Sequence, residues 1–200
     1  RLGEMVSQAN AQIKRSAPDA NVELSAQDYK RSLFSSTFTL QVKPIAGTTS
    51  PWLKPGQSVV LHENVDHGPF PLAQLKSFSL TPAMASVHTQ LVNNDVTKAL
   101  FEMAKGESPF VAETRIGYAG DTRSDINLRA LNVEKEGEKV AFGGGNFRVS
   151  ADKEGNAVAV SGEAQSGLVD TVNEFGQKVQ LSFNNFKTDG SSEILSLIHI

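Results

Sequence analysis

Apolar residues follow a helical period at the start of the chain and a period of two after it. The helical part has its apolar residues three or four positions apart: Leu2, Met5, Val6, Ala9 and Ile13. This spacing predicts an amphipathic helix over residues 1–17. Pro18 ends the helix, because a proline ring disfavours helical geometry at the residue before it. Polar residues interrupt the apolar stripe, so we expect the stripe to dock on the protein rather than enter lipid.

Strict alternation of apolar and polar residues then predicts strands. One clear instance places four apolar residues on the same side of the chain: Phe34, Phe38, Leu40 and Val42. Such a pattern is typical of a half-buried strand. From Phe110 onward, similar stretches are separated by glycine-containing turn signals at Gly120, Gly137 and Gly155. Short strands joined by such turns indicate an antiparallel meander.

A short helix is predicted between two of these strands. Asp95 suits its N-cap and Gly106 its C-terminal end, since these residue types satisfy or terminate the helical backbone. The spacing of the apolar residues Val96, Leu100 and Met103 places them on the inward side.

The alternation changes phase once, in the second half of the chain. The apolar positions are even-numbered at Val140 and Phe142 and odd-numbered at Phe147 and Val149. The change falls on the three consecutive glycines 143–145. Glycine allows a β-bulge or a bend that absorbs an extra residue. We therefore expect a curved strand at this point.

These patterns predict a mainly β fold, with α+β character only at its margins. We expect an antiparallel meander that forms a curved, twisted sheet. The N-terminal helix precedes this sheet, and one short internal helix interrupts the series of strands. The β-rich part covers residues 18–194.

Charge and cysteine content exclude several kinds of function. The chain has 19 basic and 22 acidic side chains and a net charge of −3, so it has no basic excess for binding nucleic acid. Cysteine is absent, which removes disulfides, thiolate nucleophiles and cysteine-ligated metals. No apolar run reaches the roughly 20 residues that span a bilayer. No cofactor-binding motif is present, and none is expected.

The one concentrated group of metal-capable side chains is His62, Asp66 and His67. These residue types can bind a divalent metal. On a strand, however, His62 and His67 point to opposite faces, so they converge only if the chain bends between them. His88 would have to approach through the fold. We favour the interpretation that Asp66 bonds nearby backbone N–H groups in a turn.

That turn is predicted from the segment that begins at Asp66 and His67. Gly68, Pro69 and Phe70 follow directly. Proline cannot donate a hydrogen bond to a strand ladder. We therefore expect a turn over these five residues.

Motifs for enzymatic chemistry are not found. The three glycines are followed by no Lys-Ser or Lys-Thr pair, so they match no phosphate-binding loop. The serines form no nucleophile elbow of the type G-x-S-x-G. The acidic residues are scattered, so their spacing predicts no paired-carboxylate site. We expect a protein that is not an enzyme.

Several stretches resemble the YdgA-like family of bacterial envelope proteins. The most specific is residues 64–76 (NVDHGPFPLAQLK), followed by 82–86 (PAMAS) and 162–167 (GEAQSG). The resemblance covers essentially residues 1–193. It implies a helix in the inner membrane upstream, an exported portion and no assigned biochemical activity, so no catalytic residue is carried over.

The resemblance also organises the chain into three parts. Residues 1–17 would be a juxtamembrane helix just after the anchor. Residues 18–194 would be an antiparallel β-rich periplasmic domain that is incomplete at its C-terminal end. Residues 195–200 (LSLIHI) depart from the family pattern and resemble the translation of a sequencing adapter. We expect this segment to be read-through.

Two functional hypotheses remain open. The first is a non-enzymatic envelope protein of unassigned role, a membrane-anchored periplasmic β scaffold for binding or assembly. Its expected location is the periplasmic face of the inner membrane of a Gram-negative bacterium, reached through the upstream anchor. Its expected partners are a lipid, another protein or a second copy of itself, but no nucleic acid. The alternative is a metal-dependent periplasmic hydrolase that uses His62, Asp66 and His67.

Overall fold

A computed structural model describes residues 2–68, 83–154 and 157–193. In these ranges the helices are α1 (Leu2–Ser16) and α2 (Lys98–Met103), with a short 3-10 helix at Pro18–Ala20. The strands are β1 (Val22–Arg31), β2 (Ser35–Pro44), β3 (Val59–His67), β4 (Ala85–Leu91), β5 (Phe110–Ile116), β6 (Thr122–Leu128), β7 (Leu131–Lys135), β8 (Glu138–Phe142), β9 (Gly145–Ala151), β10 (Ala157–Ala164), β11 (Gly167–Val172), β12 (Lys178–Phe183) and β13 (Phe186–Glu193). The predicted fold class is confirmed.

Within the described residues, the strands form two antiparallel sheets. The first has nine strands in the order β1-β2-β3-β4-β5-β6-β9-β10-β13. The second has four, in the order β12-β11-β8-β7. Strands β1 to β6 are a simple meander, because each pairs with the next along the chain. The hairpins β7–β8 and β11–β12 leave the first sheet and pair with each other through β8 and β11.

Strand register gives the nine-stranded sheet one apolar and one polar face. Leu40 lies opposite Leu61, and Ile126 opposite Phe147. The apolar face carries these and other paired residues: Val42, Val59, Val65, Val87, Val149 and Val160. The polar face carries Thr39, His62, His88, Glu113, Asp125 and Arg148. The period-2 pattern therefore sets which side of the sheet needs cover.

Helix α1 covers the apolar face at its β1–β4 side. Leu2 packs against the cluster of Phe38, Val65 and Ala85. At the other end of the helix, Ile13 packs against a second cluster formed by Ala20, Val22 and Leu53. The predicted docking of the apolar stripe is thus confirmed. The helix runs along β1 with its N-terminus toward the β1–β2 turn. No helix in the described part of the chain is long and apolar enough to cross a membrane.

One side chain of α1 also forms hydrogen bonds with the backbone of edge strand β1. The Asn10 amide donates to the Leu24 carbonyl at 2.8 Å, and the Leu24 N–H donates to Asn10 Oδ1 at 2.7 Å. Leu24 belongs to β1, the edge strand. An edge strand presents unpaired backbone groups that can pair with another chain. Asn10 satisfies two of them, as a neighbouring strand would.

Four stretches of chain pass from the nine-stranded sheet to the four-stranded sheet along one line, which we call the crease. They are β6–β7, β8–β9, β10–β11 and β12–β13. On one side lie the strand ends Leu128, Gly145, Ala164 and Phe186, which are neighbours in register. On the other side lie Leu131, Phe142, Gly167 and Phe183, also in register. Two residues separate these rows in every strand, so the alternation changes phase in all four. The predicted bend at glycines 143–145 is confirmed as one part of this line.

Small residues let the chain bend at the crease. Gly144 has a φ of +90°, and a Cβ there would lie 2.8 Å from the Leu128 carbonyl oxygen of a neighbouring strand. Gly167 lies between the tilted rings of Phe142 and Phe183, whose centroids are 6.3 Å apart. A side chain at Gly167 would meet the Phe183 ring. Aromatic rings thus cover the glycine that leaves space for the bend.

Two local predictions about α2 are wrong. The N-cap of α2 is Thr97 and not Asp95; the Asn94 Oδ1 atom accepts hydrogen bonds from the Val96 and Thr97 N–H groups in the turn before the helix. The inward residue of α2 is Phe101, because Leu100 is exposed. The helix is only six residues long, so a shift of one residue changes its buried side.

The predicted turn over residues 66–70 also needs correction. Asp66 and His67 continue β3 in register with β2 and β4. Gly68, with a φ of +130°, donates its N–H to the Met84 carbonyl at 3.3 Å. The strand continues because the proline restriction acts only from residue 69 onward. Pro69 and Phe70 lie outside the described residues, as do residues 155–156 and 195–200.

Replacing Asn10 by alanine should destabilise the fold. Asn10→Ala leaves the half-buried Leu24 N–H and C=O without partners, at an expected cost of about 1–3 kcal/mol. Urea unfolding followed by circular dichroism measures the change. Gln8→Ala on the exposed side of α1 is the control and should stay within about 0.5 kcal/mol. Equal midpoints for the two variants would show that Asn10 does not hold the edge.

A comparison of two glycines tests the crease. Gly144→Ala and Gly137→Ala carry a similar conformational penalty, since their φ angles are +90° and +81°. Only Gly144 has backbone close to the added Cβ, whereas Gly137 has nothing within 4 Å. Gly144→Ala should therefore be less stable than Gly137→Ala by about 1–3 kcal/mol in the same unfolding experiment. Equal losses would mean that the strands do not approach closely at the crease.

Candidate functional site

The structure separates the three predicted metal-ligand candidates. His62 and Asp66 lie four residues apart on the polar face of β3, while His67 points to the apolar face. β3 runs through all three positions without the bend that their convergence requires. Across residues 2–68, 83–154 and 157–193, no group of three or more histidine or acidic side chains could hold a metal ion. The geometry therefore gives the metal-site hypothesis no support.

His67 meets a buried serine instead. Its Nε2 lies 2.9 Å from the Ser36 hydroxyl, and the Tyr29 hydroxyl lies 3.4 Å from the same oxygen. A serine–histidine hydrogen bond is one element of nucleophile activation, but a third group must orient the histidine. Asp66 points to the other face and cannot do so. Ser36 is only 3% exposed, so the bond satisfies a buried hydroxyl.

On the polar face, His88 makes two hydrogen bonds. Gln90 Nε2 lies 2.8 Å from His88 Nε2, and His88 Nδ1 contacts Glu113 Oε1. Because the Gln90 amide nitrogen can only donate, His88 Nε2 accepts, and Nδ1–H donates to Glu113. Sequence reasoning considered His88 only as a distant metal ligand. Its pairing with Glu113 follows from the β4–β5 register, which spacing alone does not give.

Glu63 is a buried acid on the apolar face, and sequence reasoning missed its role. It is 4% exposed and accepts a hydrogen bond from the Thr89 hydroxyl at 2.6 Å. Burial raises the pKa of Glu63 above its ordinary value of 4.5; the Thr89 hydrogen bond opposes this shift, as does the positive charge of His88 whenever that ring is protonated. The sequence signal was an acid in phase with Leu61 and Val65, both on the apolar face.

A group of exposed apolar side chains lies beyond the crease. One face of the four-stranded sheet is apolar in register, and the exposed residues on it and beside it form what we call the open patch: Val133, Val169, Leu181, Phe183 and Phe186. Leu181 is 65% exposed and Phe183 43%. Backbone groups lie in the plane of the sheet and are unpaired only along its edge strands β12 and β7, so the face of the patch offers contact to apolar groups but few hydrogen-bonding groups. Clustered apolar exposure of this kind marks interaction surfaces.

Comparison with known families and proteins gives a consistent result. Residues 1–196 match the family described as bacterial protein of unknown function (DUF945). The chain is 61% identical over 195 residues to Protein YdgA of Escherichia coli (strain K12), covering 98% of this chain and 39% of that protein. It is 33% identical over 132 residues to Uncharacterized protein YihF of the same organism, covering 66% of this chain and 27% of the relative.

The chain therefore spans well under half the length of these curated relatives. No solved structure matches it.

Glu63 makes stability depend on pH in a defined direction. Because its pKa is raised in the folded protein, the folded state holds this proton more tightly than the unfolded chain. The group's stabilising contribution is therefore full below the unfolded-state pKa and declines as pH rises toward the folded-state pKa. Glu63→Gln removes the buried charge and keeps an acceptor for Thr89. The variant should be more stable than the parent at pH 7, and the difference should shrink toward pH 4.

Urea midpoints measured from pH 4 to pH 8 check this expectation. Glu134→Gln, at an exposed position of β7, is the matched control and should leave the pH profile unchanged. A Glu63→Gln variant that is less stable than the parent at neutral pH would show that the charged carboxylate is stabilised in place.

Proposed function

The chain belongs to the DUF945 family of bacterial proteins of unknown function, and we propose that it is a non-enzymatic scaffold of the bacterial envelope that works by binding. In this proposal an upstream anchor holds it at the periplasmic face of the inner membrane. The β-rich part then presents the open patch to an apolar ligand. The exposure of Leu181 and Phe183 on an otherwise ordered sheet is the observation that carries the proposal.

The chemistry of the patch favours lipid acyl chains as the ligand. Its exposed side chains are apolar: Val133, Val169, Leu181, Phe183 and Phe186. Hydrogen-bonding groups of a peptide would find few partners on this face, whereas acyl chains need none. The hydrophobic effect is proportional to the apolar area removed from water and needs no directional contacts. A creased sheet offers two inclined apolar surfaces side by side.

The hydrolase alternative has no comparable support. His62 and His67 lie on opposite faces of one straight strand, and His67 is bonded to a buried hydroxyl. A second copy of the chain could bind the open patch in place of a lipid. The photocrosslinking experiment distinguishes these two partners.

Photocrosslinking at the patch tests the proposal. Leu181 is replaced by p-benzoylphenylalanine in bacteria that produce the protein, and ultraviolet light captures what lies against it. Ser182 is the matched control, because it is also exposed on β12 but points to the opposite face. We expect an adduct of lipid mass at position 181 and none at position 182, read by intact-protein mass spectrometry.

Other results would change the account in distinct ways. A protein crosslinked at position 181 would show that the ligand is a protein and not a lipid. A crosslinked product with twice the mass of the chain would indicate self-association. Equal labelling at both positions, or none at either, would contradict binding through this face.

A further inference from the structure

A second group of exposed apolar residues lies at the opposite end of the nine-stranded sheet. The turns β1–β2 and β5–β6 lie at this end, beside the last residue of β3 and the first residue of β4, as the register row His67, Ala85, Ile116 and Thr122 shows. The exposed residues at this end, which we call the rim, are Met5, Tyr29, Leu33, Phe34, Met84 and Tyr118.

The tip of the β1–β2 hairpin is the most exposed part of the rim. Leu33 is 85% exposed and Phe34 71%. The Ser32 N–H donates to the Ser35 carbonyl at 2.8 Å, which closes the turn and holds both apolar side chains outside the sheet. Single exposed apolar residues are ordinary, but two large ones adjacent to each other at a turn form an exposed apolar tip.

Two cationic side chains beside the tip favour a membrane with anionic lipid headgroups as the partner. Lys30 and Arg31 precede the loop directly and are exposed, although the chain as a whole carries a net charge of −3. The acids closest to the tip are Asp28, in the bulge of β1, and Asp66, which lies opposite Ser35 in register. Apolar side chains flanked by cations and tyrosines match the boundary between acyl chains and anionic headgroups. Long cationic side chains can reach headgroups while the apolar tip enters the acyl region.

Helix α1 points toward the same end. Leu2, at its N-terminus, packs against Phe38, Val65 and Ala85, on the rim side of the sheet. Ile13 packs against Val22 at the far side. The N-terminus of the helix and the apolar tip therefore lie at one end of the molecule, so both could contact one flat surface.

We propose that the rim is a bilayer-contact surface that inserts Leu33 and Phe34 at the interface of a membrane with anionic lipids. This goes beyond the proposed function, because it concerns a different surface and does not depend on what the open patch binds. The rim would fix the orientation of the sheet to the membrane, with the crease and the open patch directed away from it.

Flotation with lipid vesicles tests the proposal. The chain is mixed with vesicles that contain phosphatidylglycerol, or with vesicles of phosphatidylcholine alone. The variant Leu33→Ser/Phe34→Ser should lose at least about tenfold in partitioning, since burial of two large apolar side chains is removed. Phe175→Ser is the matched control, because Phe175 is also 85% exposed but lies in the β11–β12 turn beyond the crease. It should change partitioning by less than about twofold.

A charge variant separates the two contributions. Lys30→Gln/Arg31→Gln should weaken binding to phosphatidylglycerol vesicles by about tenfold or more and leave binding to neutral vesicles unchanged. Circular dichroism confirms that each variant is folded. Failure of the parent to float with anionic vesicles, or equal flotation of the parent and Leu33→Ser/Phe34→Ser, would overturn the proposal.

A rim variant that turns a dimer into a monomer in size-exclusion chromatography, with flotation unchanged, would assign the rim to contact between copies of the chain. Neither result would affect photocrosslinking at Leu181, so the two proposals can fail separately.

Discussion

The apolar face of one continuous antiparallel sheet is the constraint on which the rest of the structure depends. Alternation along most of the strands places apolar side chains on the same side, and register carries that side from β1 to β10. Exposure of these apolar side chains to water is unfavourable wherever nothing packs on them. At the β1–β4 side the chain provides its own cover, because α1 packs on Phe38 and Val65 through Leu2. Beyond the crease, Leu181 and Phe183 are exposed.

The sheet has unpaired backbone groups at its β1 edge and a change of phase at the crease, and specific residues accommodate each of them. At one edge, Asn10 replaces a neighbouring strand by bonding both backbone groups of Leu24. In the other half, four strands change phase together, and Gly144 and Gly167 leave the space that the bend requires. Two residues in each of the four stretches of chain separate the apolar rows of the two sheets.

Much of the architecture could be predicted from the sequence because it depends on local periodicity. The helical stripe of α1, the meander and the bend at glycines 143–145 all follow from the spacing of apolar residues. Features that depend on cross-strand register could not be predicted. The bond of His67 to Ser36 joins residues 31 positions apart, and the bond of Thr89 to Glu63 joins residues 26 apart. The bonds of Asn10 could not be predicted either, because its partner Leu24 is brought next to it only when the helix docks.

The wrong predictions have equally specific causes. The prolines at 69 and 71 indicated a turn, but a strand can extend to the residue where the restriction begins, and β3 includes Asp66 and His67. The metal hypothesis rested on proximity in sequence, which on a strand separates side chains onto two faces.

The apolar face of the protein is covered over strands β2 to β5 and exposed to solvent over strands β11 to β13. Hydrogen–deuterium exchange of the purified chain tests this division most directly, because amide protection reports local opening. We predict the slowest exchange in β2 to β5, where α1 and the clusters around Phe38 and Leu53 exclude water, and clearly faster exchange in β11 and β12. Equal protection in the two halves would contradict the claim that one half of the sheet is covered and the other is open for binding.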